Sequence, residues 1–464
     1  MTQHNIYVAA TMLLTTVLLA SCGGGGGGAA GGNTTGNTMP AYPLKASANG
    51  RYLVDQNNAA FLLVGDAPQA LMVNISESDA AVYFANRAKR GFNAVWINLL
   101  CDTYTGGRSD SSTFDGVLPF NNPGDLSTPN ETYFSHCDRV INLAAKYGLV
   151  VFLDPAETGG FIQLLIANGP QKCSAYGQYL GNRYKNFNNI VWMSGNDFQN
   201  WSDPTSDAAA SAVAVGIKQL DNRHMQTVEL EYFLSSSTDD PVWAGIVSLN
   251  GAYTYFPTYA EVLQAYNRSP NMPVFMEEAD YEFENGADPQ RLRREEYWSV
   301  LSGATGELYG NHYIWPFLSG WQNELDTPGA IQLGYAKALL LARPWYSLIP
   351  DQQHVILTTG FGTFSSGGSA HSSISSNDYA AVAATPDGRL VMAYIPSART
   401  FTIDMTKLSA PTTARWFDPT SGAYSSAASS TLQNVGTRSF TSPGLNAEGG
   451  SSSDWVLLLE VKPA

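Results

Sequence analysis

From Phe61 to Leu341 short β-branched or apolar runs alternate with longer amphipathic stretches, the order expected of repeated βα units around a parallel sheet. Eight runs read as strands: Phe61 to Gly65, Ala94 to Leu100, Leu149 to Asp154, Ile190 to Ser194, Gln226 to Glu231, Ile246 to Leu249, Pro273 to Met276 and Glu307 to Ile314. The stretches between them have helical periodicity, as in Glu77 to Arg90, Tyr133 to Tyr147, Tyr176 to Asn186, Ala208 to Leu220, Tyr259 to Tyr266 and Pro289 to Leu301. Eight such units predict an α/β fold, a closed (β/α)8 TIM barrel. A doubly wound open sheet is the competing layout, but no strand is followed by the Gly-rich phosphate turn that organises a site there. After Pro350 the texture changes to short alternating runs, Val355 to Thr358, Tyr379 to Ala383, Leu390 to Tyr394, Thr400 to Ile403 and Trp455 to Leu459, divided by Ser, Gly and Thr turns. That pattern predicts a small all-β sandwich domain. The expected division is a barrel over 41–348 and a sandwich over 349–464.

The first 40 residues have a different character. An apolar run from Ile6 to Ala20 is too short for a membrane span, which needs about 20 apolar residues, and stands where a cleaved export signal belongs. It leads into Leu19-Ala20-Ser21-Cys22, which resembles a bacterial lipobox, so residues 1–22 are expected to be a signal peptide ending in a lipidated Cys22. The segment Met1 to Asn5 lacks the usual Lys or Arg, and ordinary signal-peptidase cleavage is the alternative. Residues 23–40 are rich in Gly, Asn and Thr and read as a flexible tether. The expected location is the bacterial cell envelope, facing the periplasm or the cell surface, with membrane contact only through the N-terminal lipid.

Composition narrows the function classes. Lys and Arg total 25 against 40 Asp and Glu, and the net charge of −15 repels polyphosphate backbones and excludes nucleic acid as an expected partner. Aromatic residues make up 12% of the chain, and flat amphipathic rings suit sugar faces as well as ordinary cores. Without Cys22 the cysteines are Cys101, Cys137 and Cys173, an odd number at spacings that fit no zinc motif, and they read as buried thiols.

Barrel enzymes carry their chemistry at the C-terminal ends of the strands, so the polar residues after each apolar run are the candidates. They include Asp66, Asn98, Asp102, Asp154, Glu157, Asn196, Asp197, Glu229, Glu231, Asn250, Glu277, Glu278, Asn311 and His312, mostly acids and amides. Two segments stand out: Ile190-Val-Trp-Met-Ser-Gly-Asn196-Asp197 after the fourth strand and Pro273-Val-Phe-Met-Glu277-Glu278 after the seventh. Taken singly, an Asp after a strand often caps a helix, and adjacent glutamates often form a solvated rim. Taken together, with Trp192, Tyr281 and Trp315 nearby in the chain, they supply the carboxyl pair that glycoside hydrolysis needs, one to protonate the departing oxygen and one to attack or stabilise the anomeric carbon.

The segments Asn49-Gly-Arg-Tyr-Leu-Val-Asp55, Leu63-Val-Gly-Asp66, Arg90-Gly-Phe-Asn-Ala-Val-Trp96, Val191-Trp-Met-Ser-Gly-Asn-Asp197, Pro273 to Glu282 and Tyr297 to Trp315 resemble the apiosidase-like glycoside hydrolases of family 140 over roughly residues 45–345. The resemblance implies Asp197 as acid/base and Glu278 as nucleophile, a retaining two-carboxylate mechanism and a plant-type polysaccharide or oligosaccharide substrate such as apiose-bearing pectin side chains. Asp66, Asn196 and Tyr281 sit in matching blocks and are implied to hydrogen-bond the sugar or orient the carboxylates, and position near the strand ends adds Asn98, Glu277, Tyr309, His312 and Trp315 as residues expected at or near the sugar. The text departs from the family at Ala67-Pro68-Gln69, at Glu307, and around the fifth and sixth strands, which shape the pocket wall that selects the sugar. The segment Ala414-Arg-Trp416-Phe-Asp418-Pro-Thr-Ser-Gly422, with Ser453-Asp-Trp455, resembles a collagen-binding-type domain found after such barrels.

No cofactor is expected. The histidines, at 4, 136, 224, 312, 354 and 371, form no His-Glu-x-x-His helix, so no metal site is expected, and no Gly-x-Ser-x-Gly elbow points to a serine hydrolase. The alternative from another class is a non-catalytic glycan- or matrix-binding surface lipoprotein built on a glycosidase-like barrel. A monomer is the default.

Overall fold

The computed structural model describes residues 39–231 and 233–461. Cys22, the signal segment and nearly all of the tether lie outside the described residues. No helix among the described residues is long and apolar enough to cross a membrane.

Eight parallel strands form the barrel: β1 (Leu63–Asp66), β2 (Ala94–Asn98), β3 (Val150–Asp154), β4 (Ile190–Ser194), β5 (Gln226–Val228), β6 (Asn250–Thr254), β7 (Val274–Glu278) and β8 (Ala304–Tyr309). Seven of the eight junctions are parallel ladders, including β8 to β1, where Glu307 faces Val64 and Tyr309 faces Asp66. The eighth, between β5 and β6, is closed at its base by the Ser248 and Leu249 amides, which donate to the Gln226 carbonyl at 2.9 and 3.2 Å. Above that point a short antiparallel strand, Leu234–Ser236, pairs with β6. Ser237 bridges the gap, donating to the Val228 carbonyl at 2.6 Å and accepting from the Gly251 amide at 2.8 Å.

Side-chain alternation sorts each strand into two faces. Leu63, Trp96, Phe152, Met193, Phe275 and Leu308 fill the barrel, while Val95, Ile97, Val151, Leu153 and Trp192 pack outward on the helices. The floor is a three-stranded antiparallel sheet, Lys45–Ala46, Leu53–Val54 and Ala60–Phe61, whose Leu53 and Phe61 join the interior cluster. The helices are α1 (Glu77–Arg90), α2 (Glu131–Lys146), α3 (Thr158–Tyr184), α4 (Pro204–Leu220), the single turn α5 (Pro241–Ala244), α6 (Thr258–Tyr266), α7 (Pro289–Leu301) and α8 (Pro328–Leu341). α1 starts where Ser76 accepts from the Asp79 amide and stops at left-handed Gly91. α3 extends well upstream of the expected Tyr176 and is two helical segments joined at non-helical Gly169, just before Pro170.

Two expected strands are displaced. Ile246 and Val247 pack outward on the helix-facing core, and β6 instead uses Asn250-Gly-Ala-Tyr-Thr, a segment without an apolar signature because its inward positions face other side chains of the barrel mouth. The eighth strand spans Ala304–Tyr309 rather than Glu307 to Ile314.

Beyond the barrel a six-stranded antiparallel sheet (Ile349–Pro350, Ala381–Ala384, Leu390–Ile395, Trp455–Val461, Thr412–Phe417 and Tyr424–Ser426) stacks on a three-stranded one (Leu357–Thr359, Thr400–Asp404 and Thr437–Thr441). Val391, Ala393, Ile395, Leu457 and Leu459 meet Phe401, Ile403 and Phe440 between the sheets. The alternate positions Met392, Tyr394 and Leu458 share a core with Tyr297, Trp298, Ala336 and Leu340 of α7 and α8. The central strands of the larger sheet, Leu390–Ile395 and Trp455–Val461, are thus covered on both faces, and residues from Pro40 onward form one compact unit.

α7 is therefore covered on every side, and the charges of its Arg-Leu-Arg-Arg-Glu-Glu stretch must find partners inside. Arg293 forks onto Asp454, with Nε and Nη2 each 2.8 Å from a carboxylate oxygen, and also donates to Gln332 and Ser452. Tyr297 stacks on Tyr394 at 5.0 Å. Removing one partner of such a pair leaves a buried charge, so Arg293→Ala is expected to lower unfolding free energy by about 3–5 kcal/mol, with Asp454→Asn in the same chain restoring part of it. Denaturant titration measures both, and a loss below about 1 kcal/mol, the value of an exposed pair, would contradict this account.

Candidate active site

The chain leaves β4 through three consecutive residues of positive φ, Gly195 (112°), Asn196 (62°) and Asp197 (57°). Asn and Asp tolerate this region better than other side chains. Gly195 is required for space as well, because a Cβ there would lie 2.1 Å from the Glu229 carbonyl oxygen. The first turn of α3 holds the bend: the Thr158 and Gly159 amides donate to the Gly195 and Asn196 carbonyls at 2.6 and 3.0 Å. The Asp197 amide donates to Glu229 Oε2 at 2.9 Å. The bend directs the Asp197 carboxylate across the mouth of the barrel.

Glu278 reaches the same place from the opposite wall through an irregularity in β7. Ala252 pairs with Met276 but Tyr253 pairs with Glu278, so Glu277 is an extra residue in the ladder. Its carboxyl fills the space beside Gly251, where a Cβ would lie 1.6 Å from Glu277 Oε2.

One phenol joins the two acids. The Tyr253 hydroxyl lies 2.8 Å from Asp197 Oδ1 and 3.1 Å from Glu278 Oε1. Tyr104 donates to Asp197 Oδ2 at 2.6 Å, Tyr255 to Glu278 Oε1 at 2.6 Å, and Tyr281 to Glu278 Oε2 at 2.5 Å. Tyr281 in turn accepts from Gln69 Nε2 at 3.1 Å. Two glycines make room for these rings: a Cβ on Gly159 would strike the Tyr104 ring at 2.3 Å, and one on Gly310 the Tyr281 ring at 2.1 Å.

Burial and the charge of Asp197 push the Glu278 carboxyl up to about 8, against the hydrogen bonds from its tyrosines. Asp197 is raised too, by burial, and its tyrosines oppose the shift. Beneath them Glu229 and Glu277, both fully buried, are raised well above the usual carboxylate range by burial and by neighbouring acids. No hydrogen-bond donor among the described residues reaches either oxygen of Glu277. The site is a set of close carboxyls that cannot all ionise at once.

Of the other residues expected at the sugar, several lie elsewhere. Asp66 is fully buried in the interface between β1 and α1, accepting from Arg87 Nε, from Tyr83 at 2.5 Å and from the Ala67 amide at 2.9 Å. Both of its oxygens are bonded inside the protein, and it exposes no surface to the barrel mouth. Tyr309 donates to Glu282, whose carboxylate also accepts from the Gly329 amide in the first turn of α8, so Tyr309 belongs to packing outside the barrel. Glu277 is sealed beneath the pair and cannot touch substrate. Asn98 is fully buried and donates to Asn196 Oδ1 at 2.8 Å, so both brace the bend rather than line an open surface. His312 and Trp315 stand on the rim, joined through Glu284 Oε1 at 2.9 and 2.7 Å. Trp192 faces outward, its Nε1 donating to Asp221. Among the described residues no group of acids, histidines or cysteines has metal-ligand geometry, and the three described cysteines are buried free thiols.

The residues missed by sequence reasoning are Tyr104, Tyr253, Tyr255 and Gln69. Tyr253 and Tyr255 follow directly once β6 is placed at Asn250–Thr254, since Leu249, Gly251 and Tyr253 then alternate inward. Tyr104 comes from a long loop with no periodic signal.

The family model described as "Apiosidase-like, catalytic domain" matches residues 47–347. The chain belongs to the apiosidase-like family. Residues 370–460 match the model described as "Putative collagen-binding domain of a collagenase". Among solved structures, one titled glycoside hydrolase superposes with a TM-score of 0.75 at 22% identity, covering 90% of this chain and 97% of that one. A glycoside hydrolase of family 5 from Bacteroides vulgatus gives the same score and identity over 90% and 93%. Another glycosidase-type structure from Bacteroides vulgatus gives 0.64 at 13% identity over 92% and 84%. These likenesses establish that the apiosidase-like chain has a glycoside hydrolase-like fold over nearly its whole length. No protein of curated function matches it.

The cavity at Gly251 yields a direct test. Gly251→Ala forces a methyl into the Glu277 carboxyl and is expected to cost about 1–3 kcal/mol, the usual range for overpacking, read as a lowered melting temperature. An unchanged melting temperature would mean that Glu277 does not occupy that space.

Proposed function

We propose that this protein hydrolyses O-glycosidic bonds with Asp197 as acid/base and Glu278 as nucleophile. The observation that carries the reading is the single Tyr253 hydroxyl in hydrogen-bond contact with both carboxylates. Contacts of 2.8 and 3.1 Å to one hydroxyl bring the nearest carboxylate oxygens close together, which favours the shorter carboxyl separation of a retaining pair, about 5–5.5 Å, over the about 6.5–9.5 Å that leaves room for an inverting water.

In this mechanism the pair holds one proton. Glu278 accepts from Tyr255 and Tyr281 while Asp197 accepts from Tyr104, with Tyr253 between the two, so the balance of donors favours the charged form of Glu278 and the proton on Asp197 when a sugar enters. Asp197 protonates the glycosidic oxygen as Glu278 attacks the anomeric carbon, the aglycone departs as an alcohol, and a glycosyl ester forms on Glu278. A water molecule deprotonated by Asp197 then attacks the same carbon, releases the sugar with its original anomeric configuration and restores the starting proton count. Desolvation of the site raises the proton affinity of both acids above the usual carboxylate range, which suits a group that must give up and take back a proton in turn.

Family membership favours a plant-type glycan, with apiose-bearing pectin fragments the first to screen. Export as a cell-envelope lipoprotein rests on the Leu19 to Cys22 motif, and mass spectrometry of the membrane-extracted N-terminus checks it.

Asp197→Asn and Glu278→Gln are each expected to lower kcat by about 10²–10⁴-fold or more, measured on the oligosaccharide that the native protein cleaves. Wild-type turnover in both would refute the assignment, and native protein that binds the glycan without ever cleaving it would identify a lectin-like role. NMR of the first anomer released tests retention. The rate should follow a bell-shaped pH profile: it falls on the alkaline side near pH 8 as the last proton leaves the coupled pair, and on the acid side as Glu278 gains one. A rate that keeps rising above pH 9 would exclude a protonated Asp197 as the acid.

A further inference from the structure

The region after the barrel sends one segment back to the barrel mouth. The short helix Ser372–Ser376 is fastened to α7: Arg294 Nη1 donates to the carbonyls of Ile374, Ser375 and Asn377 at 2.8, 2.6 and 2.6 Å, and Arg291 Nε donates to Ser375 Oγ at 2.8 Å. The residue before that helix is His371, held with φ 65°. A histidine at positive φ is uncommon and costs conformational energy that its contacts must return.

Those contacts lead to the catalytic pair. The His371 amide donates to the Tyr255 carbonyl at 2.7 Å. Its ring lies on the Tyr255 ring, 4.6 Å between centroids and tilted by 38°. Its Nδ1 is 2.5 Å from Asp280 Oδ1, while Asp280 Oδ2 takes Arg291 Nη1 at 2.8 Å. Tyr255 donates to Glu278, and Asp280 follows Glu278 by two residues on the same strand exit. His371 thus grips both the side chain of Asp280, two residues beyond Glu278, and a phenol that holds the Glu278 carboxylate.

We propose that His371 is a positioning residue for the Glu278 nucleophile, acting through Tyr255, so that the β region after the barrel is a working part of the active site. The proposal rests on the assignment of Glu278 above. The ring of His371 restricts Tyr255 to the rotamer in which its hydroxyl reaches Glu278, and the Asp280 contact fixes the ring. A contact of this kind acts on rate rather than on sugar affinity, because misplacing a reacting group by about 1 Å costs up to about 100-fold. The groups facing His371 are Asp280 and, through it, Arg291, with Tyr255 on its ring face; Glu278 and Glu295 stand one contact further, the latter accepting from the Asp280 amide at 3.2 Å.

The test compares His371→Ala, His371→Gln and Tyr255→Phe with the double variant His371→Ala/Tyr255→Phe, in the full chain. His371→Ala should lower kcat about tenfold or more with KM little changed, and His371→Gln, which keeps a donor toward Asp280, should recover part of the loss. Adding His371→Ala to Tyr255→Phe should cost nothing further. A second readout needs no turnover: carbon-13 NMR titration of protein labelled at glutamate side-chain carboxyls, with Glu278→Gln identifying the resonance. The Glu278 titration should move in His371→Ala and stay where Tyr255→Phe has put it in the double variant. Independent, additive effects of the two substitutions, or an unmoved Glu278 resonance in His371→Ala, would overturn the proposal. A shifted resonance in a protein that cleaves no glycoside would uphold the coupling and count against the hydrolase reading instead.

Discussion

Everything at the mouth of this barrel follows from two acids brought out of water within reach of one phenol. Among the described residues neither Asp197 nor Glu278 has a cation paired with it, so the folded chain tolerates them by sharing a proton and by surrounding them with hydroxyls. Tyrosine suits that role because it brings a donor without a charge and a ring that excludes water. The local backbone is bent to the same end: left-handed residues after β4 and an extra residue in β7 aim the two side chains at each other.

The sequence made the barrel legible because most of its strands obey simple rules. β3 and β7 are apolar runs that end in acids, β4 is one that reaches Asp197 three residues after its end, and α1 and α7 have the boundaries their periodicity predicts. β6 was misplaced because its inward residues are Gly251 and Tyr253, one kept small for a buried carboxyl and the other turned to chemistry, so neither declares a core. The same reasoning accounts for the site. The segments that end in Asp197 and Glu278 could be picked out from position, since the ends of barrel strands are where catalysis sits, but the choice of Glu278 over Glu277 rests on the family resemblance. Asp66 could not be told apart from them: it too is an acid at a strand end, and only the presence of Arg87 one helix away shows that it is a structural ion pair. Tyr104 and His371 come from segments 93 residues before and 174 residues after Asp197, contacts that no local pattern encodes.

Electrostatics divide the molecule into two kinds of buried charge. At the mouth the acids are crowded and raised, whereas at the junction with the β sheets the acids meet arginines, as in the Arg293 fork on Asp454. The first arrangement stores reactivity and the second holds the halves together. His371 lies where they meet, since Asp280 is bonded to it on one side and to Arg291 of α7 on the other.

The central strands of the larger β sheet have no free face, and this limits what evolution or an engineer can do with the chain. A module joined by a tether can be exchanged for another by cutting the linker. Here a replacement would have to match three arginines on one helix, refill the apolar layer around Trp298, and deliver an imidazole to the rim. The two parts are therefore expected to diverge as one heritable piece, whatever glycan the pocket comes to accept.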